Sequence, residues 1–410
     1  MKIGLLAYHA APNYGAFLQL LSTVEFIKKT GNEPIVINWI PKDTQAYFEK
    51  VSSYEVRVVF EANRNCYYPM SPLCRTDKEV ALVIDSMGID AVIIGSDAIL
   101  QHHSILERIF FIRKCIPMIN HVTSDHLYPN SFWGCFNRYT KKKVPVAVIS
   151  GSSQDCKYGY IKGWKKYHLN KTIHEFSYIS VRDTWTQGMI KYLTKDSIIP
   201  DVTPDPVFAF NENAGTLLPS KEEILSKYCL PNNYIIVSFK GTQSVNQEWI
   251  TTFEKIAAGH HYGCFRLPYA DGIVFGEMKY KYKDPVPPLD WFALIKYSNG
   301  YIGNNMHPVV VAIHNCVPFF SFDNYGIPII EGRHTNGESS KIYDLLNKAE
   351  MLNNRVFTKG INYKAPSPEN VFHSLISFDK YKIKLFRDGF YKKYVCMMED
   401  VMESIIKDNE

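Results

Sequence analysis

At 410 residues the chain is too long for one ordinary core and points to about two domains with a cleft between them. Its 46% hydrophobic and 21% charged residues are the balance of a soluble globular protein, and no stretch reaches the length of a membrane-spanning helix. The net charge of +5 is spread along the chain, and its densest basic run, Lys141-Lys142-Lys143, has no aromatic interleaving, so the sequence carries no nucleic-acid footprint.

The apolar start Lys2 to Ala7 reads as a buried strand, too soon interrupted by Tyr8, His9 and Asn13 to be a signal peptide. A helix follows from about Ala16 to Gly31, with Phe17, Leu20, Leu21, Val24 and Ile27 at helical spacing, and then a strand from Pro34 to Ile40. This is a βαβ unit, which requires a parallel strand pair. Further strands are predicted at Ala91 to Ile94, Val144 to Ile149 and Tyr178 to Val181. Residues 41 to 80 and 100 to 140 lack clear periods and read as insertions or small helices around the cleft.

The alternation restarts after Asp205-Pro206: strands at Tyr234 to Phe239, Cys264 to Leu267, Tyr301 to Gly303 and Pro318 to Phe322, helices at Glu248 to Ala258, Leu289 to Tyr297 and Pro308 to Asn315. Residues 211 to 231 read as the linker region, partly packed through Leu217 and Ile224. The expected organisation is an α/β chain with a first domain over 1–210, a second over 211–375 and a helical tail over 376–410 packing back on the protein. The tail is amphipathic from Phe386 to Ile406; a membrane-surface contact is the alternative, against which stand the acids Glu399, Asp400 and Glu403 among its lysines. Nine scattered cysteines without a C-x-x-C pair indicate a reduced, cytoplasmic protein.

Loops that follow strands in a parallel sheet gather at its carboxyl edge, where ligands bind. Four such loops stand out: Asn13-Tyr14-Gly15, Gly95-Ser96-Asp97, Ser180-Val181-Arg182-Asp183, and the turn at Asn304-Asn305-Met306-His307. The last places an imidazole just before a helix that Pro308 can start, and free N–H groups of a first helical turn suit a phosphate. His102, His103, Cys115, His121 and His126 match no zinc spacing, and no metal is expected.

In this order the segments resemble the polysaccharide pyruvyl transferase family: Asn13-Tyr14-Gly15, the Asp-x-x-x-x-Gly-Ser-Asp segment Asp90 to Asp97, Ile179 to Asp183, Asp205-Pro206, Leu294-Ile295 leading to His307, Pro318-Phe319, and Lys341 to Leu346. The resemblance spans about residues 3 to 350. It implies two Rossmann-like domains facing a cleft, as in GT-B glycosyltransferases, with the acceptor on the N-terminal and the donor on the C-terminal side. It also implies transfer of pyruvate from phosphoenolpyruvate to two hydroxyls of a saccharide, galactose O4 and O6 foremost, in the making of a cell-surface or capsular polysaccharide.

No cofactor is implied beyond that donor substrate. A lipid-linked acceptor, with peripheral contact at the inner face of the membrane, is compatible with it. The rival readings are a GT-B glycosyltransferase using a nucleotide-sugar and a non-catalytic saccharide-binding relative.

On the matching positions, Arg182 is expected to hold the donor anion, its alternative being a structural salt bridge; a guanidinium fork can grip a carboxylate or phosphate through two bonds. His307 is the expected general acid or phosphate-binding cation. Asp97 is the expected base for an acceptor hydroxyl, or else a helix cap. Asn13, Gly15 and Ser96 complete the substrate loops. Some family members carry an arginine where this chain has Asn305, so a second cation is expected elsewhere; Lys240 and Arg333 are the candidates, the alternative for each being an ordinary surface cation.

Overall fold

The computed structural model describes residues 1–409 apart from 113–115, 155, 271–272, 283–284, 331–333 and 361–362. The first sheet is built from β1 (Lys2–Leu6), β2 (Glu33–Val36), β3 (Ala91–Asp97), β4 (Val146–Gly151), β5 (Tyr178–Val181) and β6 (Asp201–Val202), with helix α1 (Tyr14–Lys29) crossing from β1 to β2 and α2 (Thr184–Thr194) following β5. The strand order is β2-β1-β3-β4-β5-β6, all parallel. Runs such as Val92 to Ile94 are apolar on both faces because both faces of a parallel sheet are covered.

The second sheet repeats this plan with β7 (Tyr234–Ser238), β8 (Gly263–Arg266), β9 (Tyr280–Lys281), β10 (Gly300–Gly303), β11 (Phe319–Asp323) and β12 (Arg355–Phe357), in the order β9-β8-β7-β10-β11-β12 and again parallel. Its site-forming helices are α3 (Pro288–Lys296), α4 (Met306–His314) and α5 (Lys341–Lys348). Both sheets therefore reverse direction next to their first strand. The crevices at these switch points lie beyond β1 and β3 in one sheet and β7 and β10 in the other, which is where parallel sheets take ligands.

The inner faces share one core, in which Leu18 and Leu21 of α1 join Phe292 of α3 and Val309 and Ile313 of α4. Tyr14 ties the halves together: its ring stacks on Trp291 at 4.7 Å and its hydroxyl donates to the Val286 carbonyl at 3.0 Å. A final helix, α6 (Lys380–Lys407), leaves the second unit and packs on the first sheet, where Met397 meets the hydroxyls of Ser150 and Ser180. No helix among the described residues is long and apolar enough to cross a membrane.

Three sequence expectations change. The 211 to 231 linker is a packed helical segment, with helices at Phe210–Ala214 and Lys221–Lys227, the latter started by a Ser220/Glu223 capping box that satisfies two N-terminal N–H groups. Helix α1 begins at Tyr14 rather than Ala16, because the Asn13 side chain accepts the N–H groups of Gly15 and Ala16. Helix α4 begins at Met306 rather than Pro308: Asn305 is its extended N-cap, and proline, needing no N–H partner, is tolerated one turn in. His307 is thus the second residue of the helix, not the residue before it.

Candidate active site

Between the sheets lies a cleft of about 1190 Å³. From the first sheet it receives Asn13 and Gly15 at the start of α1, Asp97 at the end of β3 and Asp183 at the start of α2. From the second it receives Lys240 after β7, Asn305 and His307 at the start of α4, and Lys341 at the start of α5. The two walls differ in charge. Carboxylates come from the first sheet and the lysines from the second, although Glu338 and Asp344 join the latter.

His307 is buried, 8% exposed, and its ring lies against Gly15 of the opposite sheet. A β-carbon on Gly15 would stand 2.1 Å from the imidazole Nε2, so only glycine admits the ring there. Nε2 itself has no hydrogen-bond partner among the described residues. An unpartnered buried nitrogen costs free energy unless a ligand satisfies it. Burial lowers the His307 pKa below the ordinary imidazole value, opposed by Asp97 and Asp205 and reinforced by Arg182 and Lys341.

Asp97 ends β3 at a positive φ of 83°, a backbone region that side chains other than glycine rarely adopt. Burial works against its charge, but Arg182, His307 and Lys341 outweigh burial and hold its pKa below the usual carboxylate value. It is therefore ionised at neutral pH.

Arg182 does not line the cleft wall. Its guanidinium lies one layer behind, donating to Asp97 at 3.4 Å and to Asp205 at 3.1 Å, with only 6% of the side chain exposed. Gln19 also donates to Asp205, at 2.5 Å, and Asp205 accepts the Val207 N–H at 3.0 Å, so the Asp-Pro pair anchors the arginine. The carboxylates that Arg182 holds are thus the protein's own, the structural salt bridge that stood as the alternative to a donor-anion contact, and the pairing orients Asp97. The neighbouring Asp183 caps α2 through Thr186 and accepts from the Ser152 hydroxyl at 2.8 Å.

Ser96 is buried beneath the cleft floor rather than in its wall. Lys240 stands over the Tyr269 ring at 5.7 Å. Arg333 lies outside the described residues. Asn305 accepts from the Tyr325 hydroxyl at 3.5 Å and does not cap its own helix.

Lys341, the first residue of the Lys-Ile-x-x-Leu-Leu segment, joins the site without having been expected there. It stands over the Tyr325 ring at 5.0 Å and within electrostatic reach of both Asp97 and His307. The aromatic pair Tyr158 and Trp185, 4.9 Å apart, adds an apolar surface on the first-sheet side. His314, two turns along α4 from His307, is structural: it accepts the Asn211 N–H at 3.1 Å, and burial lowers its pKa to about 3. Among the described residues no three His, Cys, Asp or Glu side chains converge as a metal site.

Comparison with known proteins places residues 13–325 in a family described as polysaccharide pyruvyl transferase. Among solved structures, the UDP-GlcNAc 2-epimerase of Neisseria meningitidis, determined with UDP-GlcNAc bound, is similar at a TM-score of 0.55 with 10% identity, over 98% of this chain and 100% of that one. The UDP-GlcNAc 2-epimerase of Methanocaldococcus jannaschii aligns at a TM-score of 0.48 with 11% identity, over 92% of each chain. At such identities the likeness is one of fold, and it fits the two-domain, GT-B-like architecture seen here. Comparison with curated proteins returns no match.

Proposed function

The chain belongs to the polysaccharide pyruvyl transferase family, and from that premise we propose that it transfers pyruvate from phosphoenolpyruvate to two hydroxyls of one saccharide residue, closing a cyclic ketal. The observation that carries the residue assignment is His307: a buried imidazole whose Nε2 has no hydrogen-bond partner among the described residues, at the start of a helix facing the cleft.

The donor lies against the second sheet. Lys341, Lys240 and the N-terminus of α4 attract its carboxylate and phosphate. His307 delivers a proton to the methylene carbon, so that C2 becomes electron-poor and the first hydroxyl adds to it. Asp97, ionised and oriented by Arg182, accepts that hydroxyl's proton. The C2–O bond to phosphate then breaks, the second hydroxyl closes the ring, and its proton leaves with the phosphate. Of the two hydroxyl protons, one is in effect replaced on the new methyl group and the other ends on phosphate, so no further reactant is required.

His307 is neutral in the empty cleft because its pKa is depressed. A bound dianion raises the pKa of an adjacent imidazole, which loads the acid only when the donor is present. The acceptor lies on the first-sheet side, where Asp97 and Asp183 can take hydroxyl protons and Trp185 and Tyr158 offer a stacking face; galactose, through O4 and O6, is the acceptor we assign to a cell-surface polysaccharide.

The test pairs titration of phosphoenolpyruvate and of nucleotide-sugars with a transfer assay read by mass spectrometry on a galactose-terminated acceptor. The expected result is donor binding and a product heavier by one pyruvate less one water. Binding of a nucleotide-sugar in place of phosphoenolpyruvate would make the protein a glycosyltransferase. Saccharide binding without transfer across a broad panel would make it a binding protein.

A further inference from the structure

On the first-sheet side the cleft runs out past Tyr158 and Trp185, which line it, onto a surface that takes no part in the transfer itself. The Tyr158 ring lies 4.9 Å from Trp185 and 5.6 Å from Tyr192 of α2, and the Lys166 ammonium stands 3.5 Å over Tyr192. Lys166 belongs to a helix, Gly163–Ile173, that buries Leu169, Thr172 and Ile173 against the protein. Its outer side carries Trp164, 64% exposed, and Tyr167, 65% exposed, and Tyr160 in the turn just before is 48% exposed. A single exposed ring is ordinary, but rings gathered this closely and rimmed by polar residues mark a binding surface.

The charge around these rings has one sign. Between Asp155 and Glu175 the sequence holds Lys157, Lys162, Lys165, Lys166 and Lys171 and no acid. None of these lysines forms an ion pair among the described residues; Lys165 donates to the Tyr128 carbonyl at 2.9 Å and stands over the Trp164 ring at 5.1 Å. Lys195 adds a further cation, close enough to join burial in lowering the Lys166 pKa. Like charges that depress one another are relieved by an anion. Of the acids at the margin, Glu175 lies beyond the helix end, Asp196 pairs with Lys191 at 3.6 Å, and Glu107, which accepts the Lys157 N–H at 3.0 Å, meets His103 at 3.1 Å.

We propose that this face binds an acidic glycan, the part of the acceptor chain that leaves the cleft, with sugar rings on Tyr160, Trp164 and Tyr167 and carboxylates at Lys162, Lys166 and Lys171. Planar rings flanked by flexible point charges suit a chain of sugars that carries anions at intervals: each ring covers the apolar face of a sugar, and each ammonium reaches a carboxylate. Continuity with Tyr158 and Trp185 favours a ligand tethered to whatever lies in the cleft. A bilayer is the poorer match, because the exposed residues from Tyr160 to Lys171 include no Leu, Ile, Val, Met or Phe to enter an acyl layer. The proposal rests on the pyruvyl-transfer reading for one point. The ketal keeps the carboxylate of pyruvate, so each residue already modified brings an anion, and the face holds finished residues while the next enters the cleft.

The test titrates the full chain by calorimetry with a galacturonate hexamer and, separately, with a neutral galactose hexamer. The acidic hexamer should bind about tenfold more tightly at low salt, and the difference should shrink as ionic strength rises from about 0.05 to about 0.5 M, since exposed charges are screened. Lys162→Glu combined with Trp164→Ala supplies the second arm. Both side chains are exposed, and glutamate just before a first helical turn suits the helix dipole, so the variant keeps its melting temperature. It should lose about tenfold in affinity for the acidic hexamer, while transfer to methyl galactoside, which needs only the cleft, is unchanged. Equal affinity for the two hexamers, or undiminished binding by the variant, overturns the proposal. Tighter binding to phosphatidylserine vesicles or to single-stranded DNA than to the acidic hexamer also overturns it, by making the face a membrane or nucleic-acid site. Acidic-hexamer binding without pyruvate transfer to any acceptor would keep the face and remove the reaction; transfer to methyl galactoside without a preference between hexamers would do the reverse.

Discussion

Helices α1 and α4 enter the cleft from opposite sheets, each after a strand and each behind an asparagine, Asn13 for α1 and Asn305 for α4. Asn13 turns its side chain onto its own helix and accepts the Gly15 and Ala16 N–H groups at 2.9 and 3.3 Å. Asn305 gives its side-chain oxygen to the Tyr325 hydroxyl and caps nothing. One helix start is satisfied from within. The other has no side-chain cap and carries, one residue on, an imidazole nitrogen without a partner among the described residues. Similar sequence at a helix start therefore serves two ends here: at α1 it fixes the scaffold against which His307 packs, and at α4 it leaves the first turn open to a ligand.

The largest effect should come from the open side. His307→Gln keeps a hydrogen-bonding side chain but cannot deliver a proton, so turnover should fall about 10²–10⁴-fold while phosphoenolpyruvate affinity changes little. Wild-type-like turnover in this folded variant would remove His307 from the proton-donor role. Nuclear magnetic resonance titration of the same residue sharpens the point. In the free protein His307 should titrate below the ordinary imidazole pKa, and phosphoenolpyruvate should move it upward; no movement would place the donor phosphate elsewhere.

The closed side should matter by way of the open one. Gly15→Ala puts a methyl group onto the His307 ring, which must shift by about the width of that contact. Displacement of a catalytic group by ~1 Å costs about 10²-fold. The expected loss is in turnover, with some loss of stability as well, about 1–3 kcal/mol for overpacking at a buried contact. Equal activity would mean that the two sheets part easily at this contact and that the geometry described here is not required.

The two sheets and their central strands were legible from apolar runs bounded by turn residues, because a parallel sheet buried on both faces writes itself as continuous Val, Ile and Phe, whereas the short edge strands β6, β9 and β12 were not. The start of α4 was not. Proline at a first helical position is the common pattern, but here Asn305 takes the cap and Pro308 sits inside the first turn. Arg182 was expected to face the cleft, and nothing local in the sequence says that it turns to Asp205, 23 residues onward, instead. Lys341 escaped because its partners, Asp97 and His307, lie on other elements far away in sequence. The return of α6 to the first sheet rests on Met397 meeting Ser150 and Ser180, contacts that no periodicity announces.

A carboxylate at position 305 separates capping from ligand binding on the open side. Asn305→Asp should cap α4 better and leave or raise its stability, since aspartate is a good N-cap and its charge opposes the helix dipole favourably. The same charge faces the incoming donor anion and should weaken phosphoenolpyruvate by about tenfold, which corresponds to ~1.4 kcal/mol. Unchanged donor affinity would show that the start of α4 is not where the anion lies.

The smallest effect is expected at Asn13, and its kind matters more than its size. Asn13→Ala removes a side chain that accepts two N–H groups of α1 and should cost about 1 kcal/mol of stability, the usual price of a lost cap. Calorimetric titration should find phosphoenolpyruvate affinity within about twofold of wild type, because the Asn13 oxygen is already spent on the helix and has no share in the anion. Gly15 is the second residue of α1 and supports the His307 ring, so fraying of that turn should lower turnover modestly through the position of the imidazole. Loss of donor affinity without loss of stability would reverse this picture: Asn13 would then contact the ligand, and the two helix starts would be functionally alike despite their different hydrogen bonding.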